Sequence, residues 1–128
     1  MAMARHIVCM TFDFDSLTPQ IARGYTMPSR RSRGEFGIIG AHRILALLKK
    51  HEIRSTWFTP GQTIETYPAV AKQIVDAGHE IAHHGWTHKM PSTYETLEDE
   101  EADVKRGCDT IKSLTGQYPR GYRSPAWE

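Results

Sequence analysis

The chain has 128 residues, enough for a single domain with a core of its own. Sixteen basic and fifteen acidic side chains leave a net charge of +1, and the two signs are interspersed. That balance argues against a nucleic-acid surface. The basic cluster Arg30-Arg31-Ser32-Arg33 is short, has no interleaved aromatic residue and reads as part of a solvated loop. Behind Met1-Ala2-Met3-Ala4-Arg5-His6 the apolar stretch is brief and runs straight into acidic residues. No export signal or membrane span is therefore expected, and with that a cytoplasmic location and no membrane partner. Cys9 in the apolar run and Cys108 on a helix face read as buried free thiols of a reducing compartment.

Residues 6–15 read as a buried strand, Ile7-Val8-Cys9-Met10 leading into Thr11-Phe12-Asp13-Phe14-Asp15. The period of two puts Thr11, Asp13 and Asp15 on one face, Phe12 and Phe14 on the other. Residues 16–36 hold Gly24, Pro28, Ser29, Ser32 and Gly34 and read as one long loop of the binding or lid type. Ala41, Ile44, Leu45 and Leu48 recur at helical spacing over 40–51. Arg54–Thr59 is a short strand stopped by Pro60-Gly61. Thr66 would cap a helix that runs through Ala77, with Pro68 in its first turn and Gly78 past its end. Glu80–His84 is a third strand. Ser92-Thr93-Tyr94-Glu95 resembles a capping box before a helix whose stripe is Leu97, Val104, Cys108, Ile111 and Leu114, ended by Gly116. Tyr122–Trp127 would begin a fourth strand. Strand alternating with helix implies a parallel sheet or barrel, in which sites gather at the carboxyl ends of strands.

At those ends stand Asp13 and Asp15, His84 and His88, and Arg123. Two aligned carboxylates behind an apolar strand repel unless a cation lies beside them. His84-Gly85-Trp86-Thr87-His88 would bring both imidazoles to one face if the segment turns helically. One carboxylate with two imidazoles suits zinc and leaves a position for water, and the second carboxylate beside that water would be a base. Arg123 could orient it. His83 should face away from His84 and is given a structural role. Trp57, Phe58, Trp86 and Trp127 are assigned to the core.

At these residues the chain resembles the polysaccharide deacetylases of the NodB-homology family. Thr11-Phe12-Asp13-Phe14-Asp15 is similar to the family's Thr-Phe-Asp-Asp-Asp, and His84-Gly85-Trp86-Thr87-His88 to its His-Ser/Thr-x-x-His, with Gly85 replacing the hydroxyl residue. Arg123-Ser124-Pro125 is similar to Arg-x-Pro. The resemblance implies a distorted (β/α) barrel, of which residues 1–128 would form one domain holding the first four βα units, cut short at its C-terminus. It implies hydrolysis of a non-peptide carbon–nitrogen bond, foremost removal of acetyl from an N-acetylated sugar or polysaccharide. Asp13 would be the base and Asp15, His84 and His88 the ligands of a divalent ion, zinc foremost. Arg123 would orient Asp13, and the backbone near Ala126 and Trp127 would meet the oxyanion or substrate. The family's later Asp-x-x-Trp and Leu-x-His segments, the second holding the general acid, do not occur here. The long loop and Trp57-Phe58-Thr59-Pro60-Gly61 look closest to a cytoplasmic-type branch that includes peptidoglycan-deacetylase-like and allantoinase-like proteins. A cyclic-amide hydrolase and a non-catalytic fragment that keeps the fold are the alternatives, and a homo-oligomer is expected.

Overall fold

The computed structural model describes residues 6–127; the readings placed on Met1–Arg5 and Glu128 lie outside the described residues. Three parallel strands run in chain order, β1 (Thr11–Asp13), β2 (Thr56–Thr59) and β3 (Glu80–His83). Between β1 and β2 come three helices, α1 (Thr18–Ala22), α2 (Pro28–Arg31) and α3 (Phe36–Lys50). Between β2 and β3 come α4 (Gly61–Thr66) and α5 (Pro68–Asp76), and α6 (Leu97–Thr115) follows β3. Sequential parallel order with a helical crossover at each step is the α/β arrangement that the alternation of elements predicts.

The register separates a wet face from a dry one. Phe12 pairs with Trp57 and Trp57 with Ile81, so this row points at the helices. Trp57 is buried, its ring 5.0 Å from that of Phe12 and edge-on to Phe14 at 6.0 Å, and its Nε1–H donates to Ser55 Oγ at 2.9 Å. Ala41 and Leu48 of α3, Val70, Ala71 and Ile74 of α5, and Ile111 of α6 close over it. The opposite row, Asp13, Phe58 and Ala82, faces the side on which the candidate site is built.

Several expectations need correction. The first strand is confined to Thr11–Asp13, and Ile7 and Val8 are 88% and 82% exposed. Cys9 is exposed as well, and Cys108 half-buried, so neither is a buried thiol. The reason is pairing: the amide of Thr56 reaches Met10 O at 3.1 Å, and β2 has not begun before that point. Residues 16–36 are not one loop but α1, α2 and a 3-10 turn at Ser32–Glu35. A Cβ on Gly34 would lie 2.5 Å from the Leu17 backbone, so only glycine lets this segment fold back so closely. That turn feeds α3, which starts at Phe36 rather than 40.

Pro60-Gly61 does end β2, but the chain turns at once into α4. Thr66 therefore closes that helix, its hydroxyl bonded back to Gln62 O at 2.7 Å, and α5 begins at Pro68 without a side-chain cap. The cap of α6 is Thr96, whose Oγ1 accepts from Asp99 N at 3.1 Å; Ser92 sits in a separate 3-10 turn. Gly116 at φ 80° ends α6 as expected. The fourth strand is reduced to one bridge, Tyr122 to His83, before Pro125 removes a donor and Pro125–Trp127 turns. Of the aromatics assigned to the core only Trp57 is buried: Phe58 and Trp86 are half-buried and Trp127 is 80% exposed.

Candidate functional site

Asp13 closes β1, and across the sheet Arg123 follows the bridge that ties Tyr122 to β3. Arg123 N–H donates to His83 O at 3.0 Å, and this aims the side chain back over the wet face. Its guanidinium lies 4.0 Å from the centre of the Phe58 ring, donates through Nη2 to Thr11 Oγ1 at 2.9 Å, and binds Asp13 Oδ1 through Nη1. A planar fork braced on an aromatic face holds one carboxylate oxygen still. The other oxygen lies outside that grip.

Asp15 lies two residues beyond the strand, where Ser16 adopts φ 53° and turns the chain. Its carbonyl is pinned by three donors: Thr18 N at 3.1 Å, Thr18 Oγ1 at 2.6 Å and Thr63 Oγ1 of α4 at 2.8 Å. Thr18 and Thr63 are fully buried, and neither was singled out in the sequence, because a threonine carries no signal until a tertiary partner appears. Asp15 Oδ1 then lies 3.4 Å from His84 Nε2, and Oδ2 lies 3.4 Å from His88 Nε2.

The two imidazoles meet edge to face, ring centres 4.9 Å apart. A helical turn does not bring them together. Residues 84–88 are irregular, and positive φ at Gly85 (72°) and His88 (62°) folds the segment back on itself. The turn is bracketed by α4, whose Gly61 and Gln62 amides donate to Gly85 O and Trp86 O at 3.1 and 2.9 Å. A Cβ on Gly61 would meet Trp86 at 2.5 Å.

The electrostatics of the trio call for a cation. His84 Nδ1 lies 2.6 Å from Arg123 O, and a carbonyl only accepts, so Nδ1 carries the proton. Burial pushes the His84 imidazole below its usual range, outweighing the upward pull of that carbonyl and of the nearby carboxylates. The ring is therefore neutral and turns the lone pair of Nε2 toward Asp15 Oδ1. That oxygen is buried and finds no hydrogen-bond donor among the described residues. Two acceptors facing one another in a buried place are unfavourable without a positive charge between them. The ligand atoms of Asp15, His84 and His88 all lie within 4.8 Å of one another. Donors about 2.0–2.2 Å from a tetrahedral zinc ion sit roughly 3.3–3.6 Å apart, which the two 3.4 Å contacts match, so the donor set fits.

The other candidates are placed elsewhere. His83 faces α6: its Nε2–H donates to Val104 O at 3.0 Å and its Nδ1 accepts from Gly85 N at 3.3 Å. Both ring nitrogens are engaged in holding the fold. His79 lies at the opposite end of β3, its Nδ1 3.2 Å from Ser55 Oγ. Trp127 N–H is taken by Ser124 O at 3.1 Å, while Ala126, three residues past Arg123 in the chain, is held at φ 58°.

The pattern of the family described as polysaccharide deacetylase matches residues 40–127, more than half of the chain. The chain belongs to the polysaccharide deacetylase family. The peptidoglycan deacetylase of Helicobacter pylori is 41% identical over 98% of this chain, which spans 44% of that protein. A peptidoglycan deacetylase-like protein of Gibberella zeae is 35% identical over 98% of the chain, itself 39% covered. Among solved structures, a Mycobacterium smegmatis protein assigned to the polysaccharide deacetylases superposes with a TM-score of 0.81 at 34% identity, over 94% of this chain and 43% of the other. The chain thus spans less than half the length of these relatives, and its three strands correspond to part of a deacetylase barrel. No helix among the described residues is long and apolar enough to cross a membrane.

Proposed function

We propose that this deacetylase-family chain serves a metal-dependent amide hydrolase that removes acetyl groups from an N-acetylated sugar, with peptidoglycan the leading substrate class. The observation that carries the reading is the cage of Asp15, His84 and His88, in which a buried carboxylate oxygen faces a neutral imidazole nitrogen with no donor between them. These three residues would hold a divalent ion, zinc foremost. Bound there, the ion supplies Lewis-acid polarisation and a water acidic enough to be deprotonated near neutral pH.

The protein's own residues supply the rest. Asp13, fixed through one oxygen by Arg123, takes the proton from the attacking water with the other. Arg123 couples the two halves of the site, because its side chain orients the base while its carbonyl sets the tautomer of His84. The backbone at Ala126, three residues past Arg123 in the chain, would supply an N–H to the developing oxyanion. Trp127, largely exposed next to it, offers a flat face for a sugar ring. Neither His79 nor His83 is placed to protonate the leaving amine.

The test is metal content and acetate release, measured on protein of native length with peptidoglycan fragments and chitin oligosaccharides. Asp13→Asn should keep the ion and lose turnover, since an amide cannot accept the proton, whereas Asp15→Asn and His84→Ala should lose both. Equal, stoichiometric metal in wild type and His84→Ala would overturn the ligand set. Turnover of allantoin or a cyclic imide without acetate release would transfer the same site to the cyclic-amide class. The exposed Ile7 and Val8 beside β1 also support self-association as a homo-oligomer.

A further inference from the structure

The turn between the two imidazoles lacks a side chain at Gly85 with which to fasten itself. Besides the Gly61 and Gln62 amides that hold its carbonyls, the fastening comes from a distant side chain. Asp103, in the second turn of α6, accepts the Trp86 N–H on Oδ2 at 2.7 Å and the Thr87 hydroxyl on Oδ1 at 3.4 Å. The Tyr94 hydroxyl bonds to the same carboxylate. So both oxygens are used, and the two residues just before His88 are tied to one group.

That group has a firm base. Helix α6 is nineteen residues long, is capped by Thr96, and packs against both β3 and α4. Its next turn holds Gly107, where a Cβ would lie 2.4 Å from His83 Nε2, so helix and strand are in close register beside the site. His88 sits at φ 62°, a conformation that a non-glycine residue keeps only when its surroundings impose it. The hydrogen bonds of residues 84–88 run to partners outside the segment. The bonds from Asp103 to Trp86 and Thr87 fix the path by which His88 returns to Asp15.

We propose that Asp103 is a positioning residue for the ion cage, holding His88 within ligating distance of Asp15 without touching any ligand. The inference rests on the reading of Asp15, His84 and His88 as ligands. Supporting groups behind metal ligands are worth about 10–100-fold in metal affinity, and Asp103 acts at one further remove, through the turn. Its removal leaves the turn free to sample other paths, and binding must then select the competent one.

The experiment is cobalt(II) titration of metal-free protein of native length against a competing chromophoric chelator. Wild type, Asp103→Ala, Asp103→Asn, His88→Ala and Thr96→Ala are compared, each with a metal-free melting curve. Asp103→Ala should bind cobalt about 10–100-fold more weakly than wild type. Asp103→Asn should fall between them, because its amide oxygen still accepts the Trp86 N–H while its NH2 cannot accept from Thr87. Thr96→Ala loosens the same helix at its cap, so it lowers the melting temperature but should leave cobalt affinity within twofold of wild type. Equal affinity in wild type and Asp103→Ala would overturn the proposal while leaving the ligand set intact. A loss matched by Thr96→Ala would reduce Asp103 to helix stability and overturn it too. If Asp103→Ala does not fold, the near-isosteric Asp103→Asn decides, and wild-type affinity there refutes the role. No cobalt binding by wild type, or equal binding by His88→Ala, would instead sink the ligand reading on which this rests.

Discussion

Gly107→Ala is the substitution for which propensity and packing predict opposite signs. Gly107 lies inside α6, where replacing glycine by alanine ordinarily gains about 1 kcal/mol of helix stability. Here the new methyl would sit 2.4 Å from His83 Nε2, 3.0 Å from His83 Cδ2 and 3.2 Å from Gly85 O. An ordinary contact needs about 3.5–4.0 Å, so helix and strand must part by roughly 1 Å or the imidazole must swing away. The swing is blocked, because His83 is buried and both its ring nitrogens are bonded, to Val104 O and Gly85 N. Overpacking of this kind costs about 1–3 kcal/mol, and a broken buried hydrogen bond adds about 1 kcal/mol. The packing terms outweigh the helix gain, and a net loss of roughly 1–3 kcal/mol is expected. Urea unfolding of the metal-free protein, followed by far-ultraviolet circular dichroism, gives the difference from the midpoints if the slopes agree. Gly107→Ala should also weaken cobalt binding, since His84 adjoins the displaced strand. A variant as stable as wild type or more so would refute the argument, by showing that α6 does not approach β3 this closely.

Thr63→Val keeps shape but removes the hydroxyl that bonds Asp15 O at 2.8 Å; it should destabilise by about 1 kcal/mol and lower metal affinity, read by the same urea and cobalt titrations. Thr96→Ala should cost about 1 kcal/mol through the lost cap to Asp99 N, visible as a lower melting temperature. Burial lowers the pKa of both His83 and His84, against hydrogen bonds and carboxylates that pull the other way. Each folded value therefore lies below the unfolded one, so their contribution to stability is complete above about pH 6.5 and is lost as pH falls through that value toward the folded pKa. Urea midpoints of chelator-treated protein at pH 7.5 and 5.5 should differ in that direction, and a flat profile would contradict it. Light scattering of protein of native length should return a mass above that of one chain, and a clean monomer would remove the association inferred from exposed Ile7 and Val8.

The sequence by itself determined the class of the fold and named the candidate site residues. Alternating apolar runs and helical stripes implied parallel βα units, and strand ends are where side chains of different units converge, so Asp13, Asp15, His84, His88 and Arg123 could be picked out before any coordinate. Period two also placed Thr11 and Asp13 on one face, as the shared grip of Arg123 shows. Only the tertiary structure decided how the residues are held. His84 and His88 meet through a glycine turn rather than a helix, because Asp103, Gly61 and Gln62 bond its backbone from positions 17 or more residues away in the chain. The extent of β1 was likewise set by its neighbour, since the ladder with β2 reaches back only to Met10 O. Thr18 and Thr63 gain meaning only from the Asp15 carbonyl that they share. Local pattern encodes which face a residue takes and what chemistry it offers. Backbone bonds between distant segments, invisible to any local window, decide the path between such residues and hence whether three candidate ligands converge on one point.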